Sequence, residues 1–201
     1  MFFESADNKH GLAHNPFKAL VAPRPIGWIS SLDTEGRPNL APYSFFNAVG
    51  NIPPVVMFSS SGRKDSIANI EATGEFVCNL ATYDLRDAMN ATSAPLPRGA
   101  SEFEAAGLEA APCRLVKVPR VAASPAALEC RFLQSLTIRD IDGNETDNHM
   151  VLGQVVGIHI DDAYIVDGKV DTPRLKLLSR LGYMDYAVVD NVFSLDRPAG
   201  G

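Results

Sequence analysis

The spacing of apolar residues changes period several times along the chain, and each change predicts an element. Ile26 to Leu32, IGWISSL, is a β-branched and aromatic run that reads as a strand. DTEGRP after it is rich in residues that tolerate tight turns, and Asn39 to Val49 resumes the extended pattern, so the two runs predict an antiparallel hairpin. Pro42 lacks an amide donor, which places it at an edge or a bulge. Ahead of the hairpin, Phe17 to Pro25 joins a short helical turn to prolines that forbid its continuation, as a lead-in covering an edge or a mouth.

Ile52-Pro53-Pro54 interrupts the sheet before a strand at Val55 to Phe58. A polar turn of serines follows, and the pattern then becomes helical from Asp65 to Ala72, ended by Gly74. Further on, the pattern predicts a strand at Glu75 to Ala81 and a helix at Leu85 to Ala91. A surface excursion, SAPLPRGASEFEAAG, carries a short helix at Glu102 to Ala106. Strands are expected at Arg114 to Val118, Ala127 to Ile138, His149 to Ile160 and Tyr164 to Val166, with a brief helix from Pro173 through Leu178. Many strands with short turns and few helices predict a mainly β chain rolled into a closed or nearly closed antiparallel barrel, because closure removes exposed edges.

Composition narrows the class. A chain of 201 residues, 46% hydrophobic and 21% charged, has the profile of one globular domain spanning 1–201. A net charge of −6 offers no broad basic face, so no nucleic-acid partner is expected. Glu4, Asp7 and Lys9 break any apolar signal core, and no apolar stretch approaches the roughly 20 residues that span a bilayer, so a cytoplasmic location without membrane contact is expected. Cys78, Cys113 and Cys130 form no CxxC pair and suit reduced thiols. The four histidines show no HExxH or paired spacing, so no metal is expected. There is no GxGxxG after a strand and no Walker loop, hence no dedicated nicotinamide domain.

The most informative stretch is VVMFSSSGRKDS, Val55 to Ser66. Strand, polar turn and helix start present backbone amides and a partial positive charge to an anion. Ser59, Ser60, Ser61 and Ser66, with Arg63 and Lys64, would complete a phosphate cradle. The other reading is a solvated loop whose serines cap the helix.

The run Pro23 to Leu80, beginning PRPIGWISSLDTEGRPNLAPYSFFNAV, resembles the core of the flavin reductase-like family, the FMN-binding split barrels that include flavoredoxin. Met89 to Leu108, His149 to Asp162 and RLGYMDY at Arg180 to Tyr186 resemble the same family in the same order. The resemblance implies a homodimer of Greek-key split β-barrels, each binding FMN near the subunit interface. It implies that NADH or NADPH docks transiently to deliver a hydride, and that electrons pass to an acceptor, which can be another protein. A flavoredoxin-like carrier without nicotinamide activity, or a barrel that binds some other phosphate ligand, remains open. In relatives the ring edge lies along the segment matching Ser44, Phe45, Phe46 and Asn47, and the phosphate lies where Ser59 to Ser66 stand. Arg24, set between two prolines, is stiffly presented and can reach an anionic part of the flavin or a dimer partner. His149 matches a histidine that flavin reductases place near flavin and nicotinamide, or it is a solvent-facing residue that starts a strand.

Overall fold

The computed structural model describes residues 1–97, 100–196 and 198. Arg98 and Gly99 of the surface excursion, and the last residues of the expected 1–201 domain, lie outside the described residues. Seven strands form one sheet: β1 (Gly27–Leu32), β2 (Pro38–Tyr43), β3 (Phe46–Asn51), β4 (Pro54–Ser61), β5 (Glu75–Leu80), β6 (Ala126–Arg139) and β7 (Glu145–Ile160). Their order is β2-β1-β5-β6-β7-β4-β3, and every neighbouring pair is antiparallel. The two edge strands, β2 and β3, are consecutive in the chain and separated only by Ser44 and Phe45. Two edges that far apart in the ladder meet across two residues only if the sheet curls round on itself. The Ser59 amide, donating to the Phe45 carbonyl at 2.8 Å, pins that corner. Register shifts in the β6–β7 pairing add the local bend and twist that curling needs.

The concave face holds the main core. Ile29, Tyr43, Val56, Phe58, Phe76 and Val151 meet there, and Tyr43 lies against Phe58 with ring centroids 4.7 Å apart. Gly153 has no side chain because Phe76 occupies its face: a Cβ there would stand 2.3 Å from the ring. Helix α1 (Phe17–Leu20) belongs to the lead-in, and helix α2 (Asp65–Thr73) turns Ile67 and Ile70 onto this core. Gly74 ends α2 in the left-handed conformation, its amide returning to the Ile70 carbonyl. A second cluster joins Trp28 and Leu40 to Met89 of α3 (Arg86–Ala91) and Phe103 of α4 (Glu102–Ala105). The indole of Trp28 is fully buried, with its N–H donating to the Thr92 hydroxyl at 2.9 Å.

After α5 (Thr172–Leu175), strands β8 (Leu177–Arg180) and β9 (Tyr186–Val189) form a small sheet with the two-residue strand Arg24–Pro25. Among the described residues no helix is long and apolar enough to cross a membrane.

Several elements depart from the sequence expectation. Asn39 to Val49 is two strands rather than one, because the corner at Ser44 and Phe45 transfers the chain from one sheet edge to the other. Ser59, Ser60 and Ser61 are not a turn. They continue β4, held by register with β7 in which Met150, His149 and Asn148 face them in turn. Arg114 to Val118 forms no strand. The amides of Arg114, Leu115 and Val116 go instead to the carboxylate of Glu129, at 2.9, 2.6 and 2.9 Å. The expected helix through Leu178 stops at Leu175, and the chain re-enters a sheet at Leu177.

Candidate functional site

A cleft of about 540 Å³ opens beside β2. One wall is the start of α2, with Lys64, Asp65 and Ser66; the opposite wall is the segment after α3, beginning at Thr92 and Ser93. No side chain caps α2 at Lys64; the Ile67 amide closes on the Lys64 carbonyl at 3.0 Å, and the Asp65 and Ser66 amides are left without acceptors among the described residues, at the helix end that lines the opening. The Ser66 hydroxyl accepts from Asn39 Nδ2 at 2.9 Å, and the Leu40 amide donates to Glu102 at 3.1 Å. Tyr43, whose hydroxyl faces Ser66 and Ser60, is pushed above the ordinary phenol pKa by burial, which those two hydroxyls only partly offset.

A second cleft of about 330 Å³ adjoins the first through Pro42 and Ser93, which line both. Arg24, Ser44, Arg180, Tyr183 and Tyr186 border it. The two clefts form a continuous groove along β2, with an ammonium and open helix amides at one end and two guanidinium groups at the other.

The sequence candidates are distributed over this geometry unevenly. Lys64 and Ser66 line the larger cleft, and Ser44 and Arg24 line the smaller. Arg63 does not line either; its guanidinium is paired with Glu71, farther along the same helix. Ser60 is buried and donates to the Gly62 carbonyl at 2.9 Å, while Ser59 and Ser61 flank it on β4. Phe45 is partly exposed beneath the cations Arg24 and Lys18, at 5.7 and 6.0 Å from its ring centroid. Phe46 turns inward onto Gly27, and exposed Asn47 accepts from the Ala48 amide. His149 lies opposite Ser60 on the sheet, with Nδ1 3.2 Å from the Thr137 hydroxyl, and borders neither cleft. The walls also contain Asn39, Thr92, Ser93, Glu102 and Tyr183, which no local motif singles out. Their signal in the sequence is membership of the Met89 to Leu108 and Arg180 to Tyr186 stretches, or of the strand β2 itself.

Away from the groove, Cys113, Glu129 and His159 bring ligand-type atoms within 4.8 Å of one another. Glu129 is buried and already accepts three amides, and His159 Nε2 lies 2.5 Å from its Oε1. Its burial opposes ionisation, yet those hydrogen bonds hold the pKa below the ordinary carboxylate value. The Cys113 thiol is pushed up to about 11 by its own burial and by that carboxylate. The cluster is accounted for as a clamp on the 114–116 segment.

The fold is a curled antiparallel sheet with two adjoining clefts along one edge strand. The chain belongs to the flavin reductase-like family: the model of the flavin reductase like domain matches residues 20–173. An uncharacterized protein of Deinococcus radiodurans is 40% identical over 192 residues, covering 89% of this chain and 82% of its own. The structure is similar to nitrilotriacetate monooxygenase component B from Bacillus cereus, with a TM-score of 0.88, 28% identity, and 97% and 98% of the two chains covered. A Shewanella frigidimarina protein with a split barrel domain shares the fold at a TM-score of 0.85 and 22% identity, over 98% of this chain and 100% of its own.

Proposed function

We propose that the chain is an FMN-binding oxidoreductase of the flavin reductase type, working as a homodimer of single-domain subunits. The observation that carries this reading is the larger cleft, where an uncapped helix start, an ammonium and a hydroxyl converge on one opening. That donor set fits a phosphate monoester, and the adjoining Ala41 and Pro42 supply an apolar floor for a planar ring. Asp65 and Glu102 also border the cleft, setting two carboxylates against one ammonium. The phosphate must therefore be held by Lys64 and the amides of α2, with no surplus of positive charge to draw on.

Within this reading Pro42, Ser44 and Ser93 orient the ring where the two clefts adjoin. When bound, FMN supplies a centre that accepts a hydride from NADH or NADPH at N5 and releases electrons to an acceptor. The chain's own contribution is to hold the ring edge, exclude water from the face against β2, and leave the smaller cleft open for a second molecule.

Anaerobic mixing with NADH and NADPH tests the reading. The FMN-loaded protein is expected to bleach with at least one of them, and persistence of the yellow colour with both would remove the reductase activity. Lys64→Ala should weaken FMN by about 10- to 100-fold, the worth of one charge-assisted hydrogen bond of roughly 1.5–3 kcal/mol. Riboflavin, which lacks the phosphate, should be unaffected. Equal losses for both ligands would show that the phosphate lies elsewhere.

A further inference from the structure

Arg24 and Arg180 are direct cross-strand partners in the short ladder between the lead-in and β8. Like charges placed opposite one another destabilise a sheet. Both arginines line the smaller cleft, Lys18 joins them, and no Asp or Glu borders that cleft. Among the described residues none of the three forms an ion pair.

The Arg24 side chain is fixed in place rather than free to swing away from its neighbour. It is 6% exposed, and its terminal nitrogens donate to the carbonyls of Lys18 at 2.5 Å, Val21, and Leu181 at 2.8 Å. Its buried Nε has no acceptor. Burial, and then the charge of Arg180, lower its pKa from the ordinary arginine value. Arg180 in turn donates to the Tyr183 carbonyl at 2.5 Å and stacks over the Tyr186 ring at 4.5 Å. Nε is sealed from the cleft and Nη1 is fully used, but Arg24 keeps one Nη2 hydrogen, and two cations lining one cleft with no acidic side chain are stabilised by an anion arriving there.

We propose that the smaller cleft is a second anion site, distinct from the one at α2, and that it takes a small aromatic carboxylate. The carboxylate sits at the Arg24–Arg180 pair, and the ring lies against Tyr183, Tyr186 and Met184, where aromatic and thioether surfaces favour a flat apolar body. A cleft of about 330 Å³ is at the small end for ligand sites and suits one ring better than a dinucleotide. Calling this ligand a partner of the flavin rests on the function proposed above; the anion site itself does not.

Calorimetric titration of the protein, with and without FMN, by benzoate and by its neutral isostere benzamide tests this. Benzoate is expected to bind about tenfold more tightly or better, and Arg180→Gln and Lys18→Gln should each shrink that ratio while the affinity for FMN stays within twofold. Equal affinity for acid and amide would overturn the proposal, as would a preference that survives both substitutions. Adenosine monophosphate displacing benzoate at lower concentration than benzoate's own would assign the cleft to a nucleotide and overturn the aromatic class. A chain that prefers benzoate but does not bind FMN keeps this site and removes the flavin reading; one that binds FMN and ignores the benzoate charge does the reverse.

Discussion

Glu129 shows how one buried side chain can decide the course of a loop. Its two oxygens accept the amides of Arg114, Leu115 and Val116 and meet His159 Nε2, so removing them orphans several donors at once. Of the three residues only Val116 is buried, and with one unsatisfied buried amide worth about 1–3 kcal/mol, Glu129→Ala should lower the unfolding free energy by about that amount in urea titrations. Because the folded carboxylate titrates below its ordinary 4.5, the unfolded chain takes up the proton first as pH falls. The contribution is therefore complete above that ordinary value and is lost progressively below it as the folded pKa is approached. Glu129→Gln, which cannot titrate, should be less stable at neutral pH but lose less between neutrality and acid; parallel acid slopes for the two proteins would show that Glu129 is not the group responsible.

The same residue explains why the course of the 114–118 segment is not legible in its local sequence. Arg114 to Val118, RLVKV, is rich in apolar and β-branched residues like a strand, yet the groups that satisfy its amides come from a glutamate on β6. A lone glutamate in an apolar strand ordinarily reads as solvent-facing, so nothing local marks it as an acceptor. Ser59 to Ser61 misled in the opposite direction. Serines after an apolar run signal a turn, but the sheet partner β7 extends past them and keeps them in register. The Arg24–Arg180 opposition is beyond any local pattern, since the two residues stand near opposite ends of the chain. What local pattern did specify was the long β6 and β7 pair, the α2 start at Asp65 with its Gly74 stop, and the edge position of Pro42 on β2.

Strands β5 and β7 meet no hydrogen-bonding partner in common except β6, yet they are locked together through the barrel interior by Phe76 lying over Gly153. A methyl group at Gly153 has nowhere to go except into that ring. Gly153→Ala is expected to destabilise by about 1–3 kcal/mol in chemical denaturation, the usual cost of overpacking. Phe76→Leu in the same chain should recover part of the loss. Additive losses in the double variant would mean that the contact between the two strands does not carry the effect.

At the scale of the whole molecule, the sheet edge at β3 stands uncovered among the described residues. β3 is largely exposed along its length, with Val49 at 53% and Ile52 beyond it at 92%. Exposed apolar edge strands are sites for pairing with another chain. In the homodimer proposed here this edge is the surface a second copy covers, and Val49→Asp with Ile52→Asp should shift the protein toward the single-chain mass in sedimentation velocity. A wild-type protein that sediments at the single-chain mass, or a variant that stays dimeric, would place the interface elsewhere or remove it.

Trp28 is the only tryptophan in the chain, and Thr92 joins it to both parts of the groove. The Thr92 hydroxyl that accepts from the indole also donates to the carbonyl of Met89, which borders the smaller cleft, while Thr92 itself borders the larger. The barrel therefore carries a native fluorophore wired to its mouth. Any occupant that shifts the segment after α3 perturbs the hydrogen bond on the indole, and a yellow guest nearby accepts its emission. Occupancy can be followed optically in the unlabelled protein, with excitation at the red edge where the indole absorbs and the five tyrosines do not.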